Sequence, residues 1–96
     1  MEIFLTKRAE KDQQLIKDLL TIKWGIKSAS DFEQKNLRFL ELISNFPEIG
    51  IMEVGEKQIR SFLITRQTRV YYRIKENKIV LLTFFDTRKN PKKRPQ

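Results

Sequence analysis

The sequence contains neither cysteine nor histidine among its 96 residues. The absence of cysteine excludes disulfides, thiolate metal sites and thiol nucleophiles. The absence of histidine removes the usual acid–base group near neutral pH and the commonest zinc ligand. We therefore expect no cofactor and no structural metal, and any proton transfer would need a carboxylate, lysine or tyrosine with a suitable pKa.

Long apolar runs are also missing. No segment approaches the roughly 20 apolar residues that a membrane-spanning helix needs, and the N-terminal MEIFLTKRAEKD is too charged for a signal peptide. These features predict a cytoplasmic protein with no membrane partner. The chain length predicts one domain, which we place at residues 1–90. The prolines in RKNPKKRPQ cannot continue a strand, so residues 91–96 are predicted to form a flexible basic tail.

Acidic side chains are scarce in the second half of the chain. Residues 1–56 carry 8 basic and 10 acidic side chains, whereas residues 57–96 carry 12 basic side chains and only Glu76 and Asp86 as acids. The second half therefore has a net charge of +10 in a protein whose total is +8. Such asymmetry is typical of a surface that attracts a polyanion or an acidic protein.

Two helices are predicted after a short strand at residues 3–6. Thr6 suits the N-cap of the first helix, and Gly25 suits its end. Ser30 and Glu33 have capping-box spacing, which places the start of the second helix beside them, and Pro47 marks its end. Apolar residues at helical intervals, together with Trp24, are assigned to the core: Leu15, Ile16, Leu19, Leu20, Ile22, Phe32, Phe39, Leu40, Ile43 and Phe46.

Four strand-like runs follow, IGIMEV, QIRSFLI, RVYYRI and KIVLLTFF, separated by hairpin-length loops. Alternation in the third run predicts one face toward the helices and one basic face that exposes a tyrosine: Val70, Tyr72 and Ile74 against Arg69, Tyr71, Arg73 and Lys75. The fourth run does not alternate, as expected for a central strand covered on both faces. We predict an α+β fold, in which an antiparallel two-helix hairpin packs on a mainly antiparallel sheet of four to five strands.

Six short segments carry a family resemblance over residues 3–92: LTKRAEKD, KWG, NFPEIG, IRSFLI, RVYYRI and FFDTRKNP. In this order and spacing, the chain resembles the RelE/ParE superfamily of toxins from bacterial type II toxin–antitoxin systems. The resemblance implies the same α+β fold and a hetero-oligomer with an acidic antitoxin that wraps around the toxin. It also implies one of two activities. RelE-like members cleave messenger RNA in the ribosomal A site, whereas ParE-like members inhibit DNA gyrase.

The side chains favour the ParE-like branch. RelE-like nucleases often place a tyrosine or histidine near the C-terminus, and DTRKNPKKRPQ contains neither. We therefore expect a toxin that stops growth by binding an essential target such as DNA gyrase. A ribosome-dependent mRNA endoribonuclease is the alternative, and a general nucleic-acid-binding module is a further one. The catalytic candidates of a ribonuclease would be Arg60, Tyr71, Arg73 and Arg88, with Glu53 and Asp86 as the nearest acids.

A single surface is predicted to bind the target or the antitoxin. Its residues come from three of the strands and the C-terminal segment: Arg60, Arg69, Tyr71, Arg73, Lys75, Leu82, Phe84, Arg88 and Lys89. Arg60 is included because its counterpart in the family lies on the functional face. We expect an antitoxin segment to cover Leu82 and Phe84 or to add a strand at a sheet edge.

Overall fold

The computed structural model describes residues 1–87 of the chain. Their elements follow in the order β1 (Glu2–Leu5), α1 (Lys7–Trp24), α2 (Ile26–Asn45), a 3-10 turn (Pro47–Ile49), β2 (Ile51–Val54), β3 (Ile59–Thr65), β4 (Thr68–Lys75) and β5 (Lys78–Asp86). The predicted α+β class is confirmed. The predicted boundary at residue 90, the basic tail, Arg88 and Lys89 lie outside the described residues.

The five strands form one sheet in the order β1-β5-β4-β3-β2. β1 runs parallel to β5, and every other neighbouring pair is antiparallel. The helical hairpin packs on one face of this sheet, where Phe39 of α2 meets the rings of Phe62 and Tyr72 at centroid distances of 5.0 and 6.1 Å. The buried core joins both layers: Ala9, Phe39, Ile43, Val70, Tyr72, Ile79, Leu81 and Phe84. Neither α1 nor α2, the two helices of residues 1–87, is long and apolar enough to span a membrane.

Both ends of α1 follow the predicted local signals. The Thr6 hydroxyl accepts a hydrogen bond from the Ala9 N–H at 3.0 Å, as an N-cap does. Gly25 ends the helix with φ of +96°, a conformation that suits glycine because it has no Cβ. The Gly25 N–H donates to the carbonyls of Leu20 and Thr21, which closes the last turn.

The predicted start of α2 is wrong. The helix begins at Ile26, so Ser30 lies inside it and cannot act as a capping residue. Gly25 alone turns the chain, and its carbonyl already accepts the first hydrogen bond of α2 from the Ser28 N–H. Because one glycine suffices for the reversal, the residues before Ser30 join the helix instead of forming a loop.

A β-bulge explains why the last strand does not alternate. Tyr71 pairs with Thr83 and Tyr72 pairs with Leu81, which leaves Leu82 as an extra residue in β5. A bulge of this kind shifts the phase of all side chains beyond it. Consequently Leu81 and Phe84 both face the helices, although they lie three residues apart. The non-alternating run reports this phase shift rather than a strand covered equally on both faces.

Side chains protect the edge of β5 where β1 ends. The pairing with β1 covers only residues 78–81 of β5. Beyond it, the Thr6 hydroxyl donates to the Leu82 carbonyl at 2.9 Å. Asp12 of α1 then accepts from the Thr83 hydroxyl at 2.6 Å and from the Phe84 N–H at 3.1 Å. The first turns of α1 thus occupy part of an edge that would otherwise invite another strand.

Candidate functional site

The sheet face turned away from the helices is called the outer face. Val70 and Tyr72 are buried against the helices, so the predicted alternation of β4 is confirmed. The register of β4 with its neighbours places three sets of residues on the outer face: Arg69, Tyr71, Arg73 and Lys75 of β4; Ile59, Ser61 and Leu63 of β3; and Val80, Thr83 and Phe85 of β5. This face therefore combines cationic residues with apolar cross-strand neighbours.

Arg69 and Arg73 are each held by a neutral partner. The Arg69 Nη1 donates to the Ser61 hydroxyl at 3.0 Å, and Ser61 in turn donates to the Glu53 carboxylate at 2.6 Å. The Arg73 Nε donates to the Lys57 carbonyl at 2.9 Å. Both arginines are half-buried. They lie four residues apart on one strand and share a face, as the sequence predicted.

Tyr71 lies between these arginines on the outer face, but it is not exposed as expected. Only 7% of its surface is accessible. Ser61 and Thr83, its partners on the two neighbouring strands, are buried as well. A tyrosine so enclosed does not offer its ring for stacking on a nucleic-acid base.

Arg60 belongs to the opposite face. It pairs with Tyr72, and its Nη1 donates to the carbonyls of Glu48 and Gly50 at 3.0 and 3.1 Å. The Tyr72 hydroxyl reaches the same turn, where it accepts from the Gly50 N–H at 2.9 Å and donates to the Pro47 carbonyl at 2.7 Å. Arg60 therefore binds the turn after α2, and the structure does not bring it together with Arg73.

The environment of Tyr72 also changes its ionisation. Burial raises the pKa of the Tyr72 phenol above its ordinary value of 10.0, because the phenolate would lose its hydration. The hydrogen bond from Gly50 and the charge of Arg60 act in the opposite direction without cancelling the shift. The hydroxyl thus stays protonated over the physiological range, as its hydrogen bond to Pro47 requires.

The two apolar residues predicted to contact the antitoxin do not form a surface. Phe84 lies in the core between helices and sheet, so that expectation is wrong for it. The bulge is the physical reason, because it turns Phe84 inward. Leu82 is half-buried within the bulge. Arg88 and Lys89, the other predicted contacts near it, lie outside the described residues.

The positive charge of the second half is not cancelled by ion pairs within residues 1–87. The ion pairs found there, Arg8–Asp12 and Lys17–Glu33, join residues of the first half at 3.9 Å each. The arginines of the strands instead donate to hydroxyl and carbonyl oxygens. Neutral acceptors leave the charge of each guanidinium intact, and the carboxylate nearest to Arg69, that of Glu53, is separated from it by the Ser61 hydroxyl.

A groove beside the helical hairpin was missed by the sequence analysis. It has a volume of about 770 Å³ and lies between the helices and the β3–β4 turn. Trp24 lines the groove and is 69% exposed, although it was assigned to the core. Ile22, which was also assigned to the core, and Ile26 are 80% and 79% exposed on either side of Gly25 and do not line the groove. Phe46, Leu15 and Leu19 are also exposed, contrary to expectation. These side chains were misplaced because helical spacing shows that a helix has an apolar side, but not how far its partner layer extends.

Residues 3–91 match the family model described as ParE toxin of the type II toxin–antitoxin system parDE. Among curated proteins, no significant sequence relative is found. The chain is similar in fold to a chain of the chromosomal ParDE toxin–antitoxin system from P. aeruginosa, with a TM-score of 0.74, 20% identity and coverage of 90% of this chain and 95% of that chain.

Two further solved structures share the fold. The YoeB/ParE toxin from Agrobacterium tumefaciens matches with a TM-score of 0.65 and 14% identity, covering 90% of this chain and 98% of that one. A copper-bound mutant toxin from Helicobacter pylori matches with a TM-score of 0.58 and 17% identity, covering 90% of this chain and 93% of that one. At these identities the structural matches establish the architecture, while the family model establishes the relationship.

Proposed function

This chain belongs to the ParE toxin family of type II toxin–antitoxin systems, and from that premise we propose that it arrests growth by binding an essential target, with DNA gyrase as the first candidate. An acidic antitoxin neutralises it by covering the binding surface. Toxicity then requires shape, charge and exposed anchors rather than a catalytic group. The lack of histidine and cysteine fits such a mechanism.

The observation that carries this proposal is the separation of Arg60 from Arg73. Cleavage of RNA by attack of a 2′-hydroxyl needs cations gathered around one phosphate, together with a proton donor and an acceptor. Arg60 donates to backbone carbonyls on the helix side, whereas Arg73 lies on the outer face. Tyr71, the candidate proton donor, is enclosed between Ser61 and Thr83. This arrangement favours binding over ribonuclease chemistry.

The exposed turn between α1 and α2 supports the proposed antitoxin contact. Ile22, Trp24 and Ile26 expose apolar surface where α1 meets α2. Lys23 and Lys27 lie next to them in the sequence, whereas the neighbouring groove is lined by two acids, Asp31 and Asp86, and two lysines, Lys23 and Lys35. An apolar patch beside two lysines suits an amphipathic segment that carries acidic side chains. The apolar contacts would provide affinity, and the charges would steer association.

Two assays on the same protein test the proposed target. The purified chain is added in excess to a gyrase supercoiling reaction, and messenger RNA is mapped in cells whose growth it has arrested. We expect reduced supercoiling, or trapped cleavage complexes, and intact messages. Codon-dependent cuts in ribosome-bound messages with unaltered supercoiling would instead support the ribonuclease alternative. Coexpression with the acidic protein encoded next to this gene, if one is present, should restore growth.

A further inference from the structure

Glu53, Ser61 and Arg69 form a hydrogen-bonded chain across three strands of the outer face. Ser61 is fully buried between the other two. Its hydroxyl donates to the Glu53 Oε1 at 2.6 Å and accepts from the Arg69 Nη1 at 3.0 Å. A hydroxyl has one proton, so donation to Glu53 turns its lone pairs toward Arg69. Ser61 thus orients the guanidinium while keeping the carboxylate and the cation one side chain apart.

We infer that Arg69 is a preorganised receptor for a carboxylate of a protein partner, and that Ser61 and Glu53 are its positioning residues. The inference rests on the proposed function and deepens it by naming the chemistry that the outer face recognises. Ser61 uses one of the five N–H donors of a guanidinium. The planar fork can present two others to one carboxylate in a bidentate pair, which is a charge-assisted and strongly directional contact. Fixing the fork beforehand lowers the ordering cost of binding.

A second cation on the same strand extends this receptor. Arg73 lies on the outer face beyond Tyr71, and its own hydrogen bond to the Lys57 carbonyl restrains it. Arg69 and Arg73 are four residues apart on β4, so their Cα atoms are separated by about 13 Å. Acidic side chains four residues apart in an extended segment have the same spacing. The pair therefore matches a peptide that carries carboxylates at such an interval.

The apolar neighbours of Arg69 favour a peptide over a nucleic acid. Leu63 and Phe85 are its cross-strand partners, and Leu63 is 45% exposed. Apolar walls lower the local dielectric and strengthen a hydrogen bond between ions. They also offer contact area to the aliphatic side chains that accompany acids in a protein segment. A nucleic-acid strand would need a stacking platform, which the enclosed Tyr71 does not provide.

Fluorescence anisotropy with two labelled probes tests the inference. The first probe is a short peptide of glutamate, leucine and serine, and the second is oligothymidylate of equal length. At about 0.15 M salt, we expect the folded wild-type chain to bind the peptide more tightly than the oligonucleotide. Arg69→Ala should weaken peptide binding about tenfold or more. Arg69→Lys should weaken it severalfold, because the charge remains but the fork is lost.

Variants of the two positioning residues separate orientation from net charge. Ser61→Ala leaves the net charge unchanged, so a severalfold loss of peptide affinity reports a lost orientation. Glu53→Ala removes one negative charge at an exposed residue and so raises the net charge by one. Bulk electrostatics therefore predicts tighter peptide binding, whereas the loss of the positioning residue predicts weaker binding. This second variant decides the matter if Ser61→Ala fails to fold. Arg38→Ala removes one charge from an exposed position of α2 and should change affinity by less than about twofold.

Three outcomes would overturn the inference. If Arg69→Ala and Arg38→Ala weaken peptide binding equally, and Arg69→Lys leaves the affinity unchanged, then bulk charge alone attracts the peptide. Tighter peptide binding by Glu53→Ala would show that Glu53 does not position Arg69. Stronger binding of oligothymidylate with the same sensitivity to Arg69 would assign the face to nucleic acid. None of these depends on toxicity, since a chain that binds the peptide without arresting growth would refute only the proposed function.

Discussion

The Tyr72 hydroxyl lies 2.9 Å from the Gly50 amide nitrogen and fixes the turn after α2 to the middle of the sheet. The approach is so close that a Cβ on Gly50 would lie 2.6 Å from the Tyr72 oxygen and 2.7 Å from the Ser61 carbonyl oxygen. Gly50 has φ of −69°, which any residue can adopt. Space, and not backbone conformation, therefore requires glycine at this position.

Gly50→Ala should lower the free energy of unfolding by about 2–4 kcal/mol, because overpacking a close contact strains its neighbours and displaces the Tyr72 hydrogen bond. Gly55→Ala is the matched control, since a Cβ on Gly55 meets nothing within 4 Å. Its effect should stay within about 0.5 kcal/mol. Chemical denaturation followed by circular dichroism measures both. Similar unfolding midpoints for the two variants would contradict the close-packing argument.

The pH dependence of stability should report the buried phenol of Tyr72. Burial raises its pKa above 10.0, so well below that pH the tyrosine is protonated in both the folded and the unfolded state. Above it, the unfolded chain releases the proton while the folded protein retains it. Linkage then requires the unfolding free energy to fall as pH rises from 10.0 toward the folded-state pKa.

Tyr72→Phe provides the reference for that measurement. At about pH 8 it should be less stable than wild type by about 1–3 kcal/mol, because the Gly50 N–H and the Pro47 carbonyl lose their partner. The difference between the two proteins should shrink as pH rises above 10.0, since only wild type carries the titrating phenol. Denaturant titrations at several pH values test this. A constant difference would show that the Tyr72 pKa is not raised by folding.

Local signals in the sequence predicted the parts of the fold that depend on a few neighbouring residues. Thr6 caps the first turn of α1, which directly follows it, and Gly25 has a positive φ at the reversal between the two helices. Alternation in β4 was readable because its pairing with β3 is regular around Tyr71. The phase of β5 was not readable, because the bulge at Leu82 exists only in relation to β4.

The candidate site was predicted in part for the same reason. Arg69 and Arg73 were placed correctly on one face by alternation alone. The role of Arg60 was missed because its acceptors, the Glu48 and Gly50 carbonyls, come from a turn whose position depends on the whole fold. Ser61 gave no signal, since a serine within a strand reveals its hydrogen bonds only when its neighbours are known.

A pair of variants tests the two capping predictions, Thr6 for α1, which the structure confirms, and Ser30 for α2, which it contradicts. Thr6→Ala removes the Ala9 cap and the hydrogen bond to the Leu82 carbonyl, so it should cost about 1–2 kcal/mol of stability. Ser30→Ala lies at an exposed position of α2 and should be neutral or stabilising by up to about 0.5 kcal/mol, because alanine favours helix. Thermal and denaturant unfolding measure both. If Ser30→Ala lowers the free energy of unfolding as much as Thr6→Ala does, then Ser30 does act as a capping residue.

The exposed side chains of Ile22 and Trp24 should contribute to partner binding and not to folding. Replacing Ile22 and Trp24 together by serine should change the unfolding free energy by less than about 1 kcal/mol, because both side chains are mostly exposed. If they anchor the antitoxin, the same variant should lose about 2 kcal/mol or more of binding free energy, which is about 30-fold in affinity. Leu37→Ser is the control, because Leu37 is an exposed apolar residue of α2 that lies 12 residues beyond the turn at Gly25.

Trp24 also makes the contact visible, because it is the single tryptophan of the chain. Its emission should shift to shorter wavelength when an antitoxin segment covers it, since the indole moves from water into an apolar contact. The shift should saturate at one equivalent of antitoxin. If Arg69→Ala abolishes the shift, the antitoxin needs the outer face in order to cover Trp24. If the complex forms with full affinity and the emission does not change, the antitoxin binds elsewhere. The exposed surface around Trp24 would then be a candidate contact for the target.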